Sequence, residues 1–127
     1  MKRNHPMAEA QPDPELCYRP VIYQLLHVSS LLLKTREHYA ATVGVTAPQF
    51  SVLTAIRESP GTSVGEVANP LLVSGPFVTA EVGKLVRARL VHRQASGRDR
   101  RVAELFLIDE GVVRLDAVEA LRRAANA

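Results

Sequence analysis

The stretch SVGEVANPLLVSGPFVTAEVGKLVRARLVHRQASGRDRRVAELFLI, residues 63–108, decides how the chain is read. It opens on Ser63-Val64-Gly65-Glu66, a hydroxyl three residues ahead of a carboxylate. At that spacing the hydroxyl serves the amide of the third helical residue, and that residue's side chain reaches back. A short helix carrying Val67, Ala68 and Leu71 is predicted, with Pro70 working against its end. Ser74 is a second capping residue, and Val78, Val82 and Leu85 behind it recur at helical spacing. Val91 to Gln94 and Val102 to Ile108 read as two strands. Between them Ala95-Ser96-Gly97-Arg98-Asp99-Arg100 reads as a basic, glycine-containing hairpin loop.

Working outward, Thr46-Ala47-Pro48-Gln49 is another capping box. It predicts a helix with Phe50, Leu53 and Ile56 in the core, stopped by Pro60-Gly61. On the far side, Asp109 to Asn126 returns to helix through Leu115, Val118 and Leu121. Upstream, Pro20 is expected to break or kink any helix begun at Asp13-Pro14-Glu15, which puts the sustained first helix at about Pro20 to Val43. Nine of the 13 residues from Val21 to Leu33 are apolar, Ile22, Leu25, Leu26, Leu32 and Leu33 among them. One stripe against one core needs fewer. This helix is therefore either central to the fold or covered by a second chain. Residues 1–14, with Pro6, Pro12 and Pro14, read as a polar tail.

A length of 127 residues, 46% apolar and 23% charged, is that of one globular domain. It excludes a disordered tail protein, a fibre and a disulfide scaffold. Cys17 is the single cysteine, which forbids an internal disulfide and fits a reducing compartment. No apolar segment follows Met1-Lys2-Arg3, and the Val21–Leu33 run is too short to span a bilayer, so a cytoplasmic protein with no membrane partner is expected. The net charge of +3 is unevenly spread. Between Lys84 and Arg101 lie Lys84, Arg87, Arg89, Arg93, Arg98, Arg100 and Arg101 against Asp99 alone. Such a run is either a solvated basic face or a footprint for phosphates.

A helix, two capped helices meeting a third, then a hairpin with a basic tip is the order of a winged helix-turn-helix. Val45-Thr46-Ala47-Pro48-Gln49-Phe50-Ser51-Val52-Leu53 resembles the entry to the DNA-binding domain of MarR-type transcriptional regulators. Val64-Gly65-Glu66-Val67-Ala68 and Val73-Ser74 resemble that family's helix-turn-helix. Val78-Thr79, Leu85, Leu90-Val91, Asp99-Arg100-Arg101 and Gly111 fall at its spacing through recognition helix, wing and last helix. The resemblance runs roughly from Leu25 to Leu121. It implies a mainly α fold with a small β-hairpin wing, a winged helix-turn-helix flanked by N- and C-terminal dimerisation helices. Within a single domain over 15–127, residues 15–43 would be the dimerisation helix. Residues 46–108 would be the DNA-binding core with its wing at 95–100, and 109–127 the C-terminal helix. The implied function is a homodimeric regulator on a pseudo-palindromic site in double-stranded DNA, answering to a small lipophilic or aromatic effector.

The resemblance also implies roles for particular residues. Arg101 would be the wing arginine and Asp99 the acid that orients it, with Arg98 and Arg100 as phosphate contacts. A basic hairpin tip suits the minor groove, whose negative potential attracts arginine. Stepping 100° per residue from the Val78–Val82–Leu85 stripe puts Pro76, Ala80, Gly83, Lys84 and Arg87 opposite, flanked by Phe77 and Thr79. With Ser74 at the cap, these are the candidate DNA contacts, and Arg93 joins Lys84, Arg87, Arg98 and Arg100 as a candidate phosphate ligand. The face departs from the family, which often has arginine where this chain has Ala80. Ala80 offers a base no hydrogen bond, although it could touch a thymine methyl. Arg89 stands where the family commonly has glycine. Only 16 residues follow Gly111, room for one helix where the family uses two, which shifts the expected dimer interface to the Val21–Leu33 helix and the tail.

Other residues that look chemical receive plainer readings. Cys17 lies five residues before Ile22, where the peroxide-sensing members of the family would place their cysteine, and it reads as a buried or incidental thiol. His27, His38 and Tyr39 lie on or near the helix that borders the family's effector pocket and are the candidate ligand-binding residues. Packing and surface roles compete for each of them. His5, His27, His38 and His92 are scattered without metal-ligand spacing. No nucleophile motif, carboxylate pair or phosphate loop is present, so neither an enzyme nor a cofactor is expected. The rival function is a protein-interaction module in which Pro76, Phe77 and Ala80 contact a protein.

Overall fold

A computed structural model describes the backbone of residues 14–126 and the side chains of residues 18–126. The tail expected before Pro14 and the thiol of Cys17 lie outside the described residues. The chain comprises two units, Met1–Thr35 and Arg36–Ala127, and helix α1 (Pro14–Thr42) contributes to both. The helix begins at Pro14, not near Pro20, and Pro20 sits inside it. Proline's φ is already helical, so although its ring removes one backbone bond and crowds the carbonyl four residues back, α1 continues through it. Within the first unit Val21, Leu25, Leu26, Leu32 and Leu33 are all more than half exposed.

The second unit runs α2 (Ala47–Glu58), α3 (Val64–Leu71), α4 (Gly75–Arg87), β1 (Val91–Ala95), β2 (Ala103–Leu107) and α5 (Asp109–Ala125). Both capping boxes form. Thr46 Oγ1 accepts from the Gln49 amide while Gln49 Oε1 accepts from the Thr46 amide, and Ser63 and Glu66 repeat the exchange. The core gathers Leu53 and Ile56 from α2, Val67 and Ala68 from α3, Val78, Val82 and Leu85 from α4, Leu105 from β2, and Leu115 and Val118 from α5. Leu121 departs from the expected stripe. It is exposed, one turn beyond Val118, the last buried position of the helix.

The hairpin pairs Val91 with Leu107 through Ala95 with Ala103, antiparallel. Ala95 thus belongs to the strand, and the tip spans residues 96–102. Val102 lies outside β2, its amide donating to the Asp99 carbonyl and its carbonyl accepting from the Ser96 amide. Ile108 is the residue that caps α5. A contact absent from the sequence reading closes the sheet from the other side. The Gly61 amide donates to the Leu105 carbonyl at 2.8 Å and the Leu105 amide to the Thr62 carbonyl at 2.9 Å. The turn after α2 thereby serves as a one-residue third strand on β2.

The junction between α4 and the wing is tight. The Ile108 amide donates to the Leu90 carbonyl at 3.0 Å, and a Cβ on Gly111 would lie 2.5 Å from that same oxygen. Backbone cannot yield as a side chain can, so residue 111 has to be glycine for α5 to sit against the start of the wing. One step earlier, Arg89 has φ 62°, a left-handed conformation costly to any residue with a Cβ. Two substitutions with opposite signs follow. Gly111→Ala should destabilise by about 1–3 kcal/mol through overpacking. Arg89→Gly should stabilise by about 0.5–1 kcal/mol, the strain released less glycine's own entropy loss. Urea midpoints at one protein concentration check both, and a tolerated Gly111→Ala would contradict this packing.

Candidate nucleic-acid interface

Helix α4 is held on one side only. Val78 and Val82 are fully buried and Leu85 nearly so. Ser74 caps the helix by accepting from the Phe77 amide at 3.1 Å. Pro76, Thr79, Ala80, Lys84 and Arg87 are exposed, and Phe77 is 40% exposed. The helical wheel drawn from sequence is the arrangement found except at Gly83, which is half-buried, and Ser74 is both capping and exposed.

Glu81 is the residue that the sequence reading missed. It is buried, accepting from Gln49 Nε2 at 3.3 Å and from Lys84 Nζ at 3.4 Å. Gln49 thus closes the cap of α2 and ties α2 to α4. Lys84 is correspondingly less available than its charge suggested, since part of its field is spent on Glu81. The available signal was positional, because three residues after Val78 returns to the buried side.

The wing tip is organised around one carboxylate. Asp99 accepts from the Arg101 backbone amide at 3.0 Å, from Arg101 Nε at 3.2 Å and from Nη2 at 3.4 Å. These bonds, the guanidinium first and the amide second, hold the Asp99 carboxyl below the usual carboxylate range. A lowered folded-state value means that the tie is present above the ordinary carboxylate pKa and is lost as pH falls through the lowered one. The Arg101 side chain is 91% exposed even so. The contact fixes where the guanidinium points without burying it.

The remaining cations separate into two groups. Arg57 pairs with Asp116 at 2.6 Å and Arg114 with Glu110 at 3.2 Å. Arg87, Arg93, Arg98 and Arg100 are exposed and make no ion pair among the described residues. His92, Arg93 and Gln94 run exposed along β1. A face that merely stays solvated would be expected to scatter acids among such arginines. Here Asp99 is the one acid in the run, and it is committed to Arg101.

The candidate ligand residues divide between the two units. The rings of His38 and Tyr39 lie 5.7 Å apart, and the Arg122 guanidinium stands 5.8 Å from the Tyr39 centroid. His27 belongs to the first unit, where it is exposed. Two hollows of the second unit, about 560 and 530 Å³, are lined by other residues, Arg36, Thr54 and Glu58 common to both. Among the described residues no group of His, Cys, Asp and Glu could hold a metal ion, and no helix is long and apolar enough to cross a membrane.

Comparison with known proteins gives one consistent result. The model of the MarR family matches residues 43–102, from just past the end of α1 through α2, α3, α4, β1 and the wing tip. The transcriptional repressor MdtR of Bacillus subtilis is 34% identical over 84 residues, 66% of this chain and 54% of its own length. The chain thus spans about half of that relative. The transcriptional repressor Rv2887 of Mycobacterium tuberculosis is 31% identical over 108 residues, 85% of this chain and 78% of its own. Among solved structures, the transcriptional repressor CouR bound to a 23-mer DNA duplex superposes with a TM-score of 0.72 at 29% identity, covering 88% of this chain and 79% of that one. With the winged helix-turn-helix formed as described and a relative aligned over most of both lengths, the chain belongs to the MarR family.

Proposed function

We propose that the chain is a DNA-binding transcriptional regulator, with α4 and the wing tip as its contact surface for duplex DNA. The observation that carries this reading is the wing. A fully solvated Arg101 is oriented by Asp99, and arginines without ion-pair partners surround it in sequence. Phosphates suit the unpaired cations, and a narrow minor groove suits a guanidinium presented on a hairpin tip. That relatives are named as transcriptional repressors and that CouR was solved on a DNA duplex support the same assignment. Lys84, Arg87, Arg93, Arg98 and Arg100 are the proposed phosphate ligands. Ser74, Pro76, Thr79 and Ala80 are placed toward the major groove. His27, His38 and Tyr39 are the proposed effector-side residues, supported by their place on the first helix.

The proposal includes a homodimer. Ten large apolar side chains of α1, from Tyr18 to Leu33, are between 44% and 65% exposed. A contiguous patch of that extent is uncommon on a free surface, and a second copy would cover it.

Binding to duplexes from the protein's own upstream region should weaken steeply with salt, since each neutralised phosphate releases condensed counterions. Arg101→Ala should cost about 1–3 kcal/mol, most on A·T-rich flanks. Fluorescence anisotropy at several salt concentrations reads both. Failure to bind at low salt, or indifference to salt and to Arg101→Ala together, would favour the protein-interaction module. Light scattering at micromolar concentration should give a dimer mass, and Leu26→Glu with Leu32→Glu should halve it. A monomeric parent chain would refute the dimer.

A further inference from the structure

The first two turns of α4 present a surface unusual for reading bases. Of their exposed side chains, Pro76, Phe77, Thr79 and Ala80, only Thr79 carries a polar atom. The Ser74 hydroxyl beside them accepts from the Phe77 amide, which leaves one O–H donor at the start of the helix. Further along, Gly83 continues the small face, and its absent Cβ answers no demand of the protein's own packing. The nearest atom it would meet is the flexible end of Arg87, 3.6 Å away. A glycine in a helix interior lowers stability, and here its structural effect is to thin the helix on its exposed side. The cations that follow, and those of the wing, attract any duplex but carry little sequence information.

We infer that α4 discriminates among DNA sequences by the 5-methyl group of thymine, through Pro76, Phe77, Thr79 and Ala80, and not by a set of side-chain hydrogen bonds to base edges. The inference rests on the DNA-binding reading and deepens it. In the major groove each base pair shows hydrogen-bonding groups, and the thymine methyl is the one apolar feature. An apolar helix face pressed there gains from the methyl. Against either kind of pair it covers acceptors and a donor that it cannot satisfy, at a similar cost, and only a pair with thymine returns the methyl contact that offsets it. The preferred half-site is therefore one that lines up thymines along the groove facing the first two turns of α4.

The test separates this inference from the reading beneath it. A random-sequence duplex pool is selected with the full chain, and the tightest duplex is remade with deoxyuridine for every thymine. Uracil keeps thymine's pairing and its minor-groove oxygen, so a wing that reads the minor groove meets the same acceptors. Affinity should fall by about fourfold for each methyl buried, hence more than tenfold when a dimer buries one or more per half-site. Phe77→Ala, a change at a half-exposed side chain, should bring the thymine-to-uracil affinity ratio closer to one while the salt dependence persists. Equal affinity for the two duplexes, with salt-sensitive binding intact, would overturn methyl readout and leave the DNA-binding reading standing. No binding to any duplex at low salt would overturn both.

Discussion

Everything in the second unit depends on α4 being clamped along one apolar stripe. Val78, Val82 and Leu85 are at or near zero exposure, held against α2, α3 and β1. Burying three such side chains contributes several kcal/mol, on the order of 1.5–3 each. That fixes the rotation of the helix about its own axis. Once it is fixed, residues 76, 80, 84 and 87 face outward without choice. The Glu81–Gln49 bond adds a polar pin on the same side, tying the cap of α2 to the helix it supports.

The wing follows from a second constraint, the close approach of Gly111 to the Leu90 carbonyl. This contact sets where the hairpin leaves the core, and the Thr62–Leu105 bridge holds its inner strand from the opposite side. Beyond that base the tip has little packing of its own. Its order comes from the Asp99 carboxylate, which gathers one backbone and two guanidinium donors of Arg101. A stiff base and a polar, solvated tip together present charge at a defined place without burying it. This is the division of labour expected of an element that meets a polyanion.

Much of this was legible in the residues because the signals were local. Thr46 with Gln49, Ser63 with Glu66, and Ser74 each announce a helix start through chemistry contained within four residues, and all three caps form. The stripe on α4 was likewise visible from spacing. What escaped the reading needed contacts distant in sequence. Nothing near Thr62 says that it will bond to Leu105, and Glu81 is an ordinary helical glutamate until Gln49 is brought to it. Leu121 continues a periodic pattern one turn past the last buried position of its helix. Pro20 lies inside α1, and residue type alone does not say whether a proline ends a helix or is accommodated in one. At the candidate site the exposed side of α4 was legible from spacing, but the engagement of Lys84 with Glu81 was not.

We propose one surface, the exposed side of α4 with the wing tip, for contact with duplex DNA. Amide chemical-shift mapping of the isotope-labelled chain, titrated with its selected duplex, tests it most directly. The largest shifts are expected at the amides of residues 74, 75 and 77–80, at Arg87 and across 96–101, with the buried amides of α2 little changed. Shifts concentrated elsewhere, for instance on α5, with α4 and the wing tip silent, would contradict it.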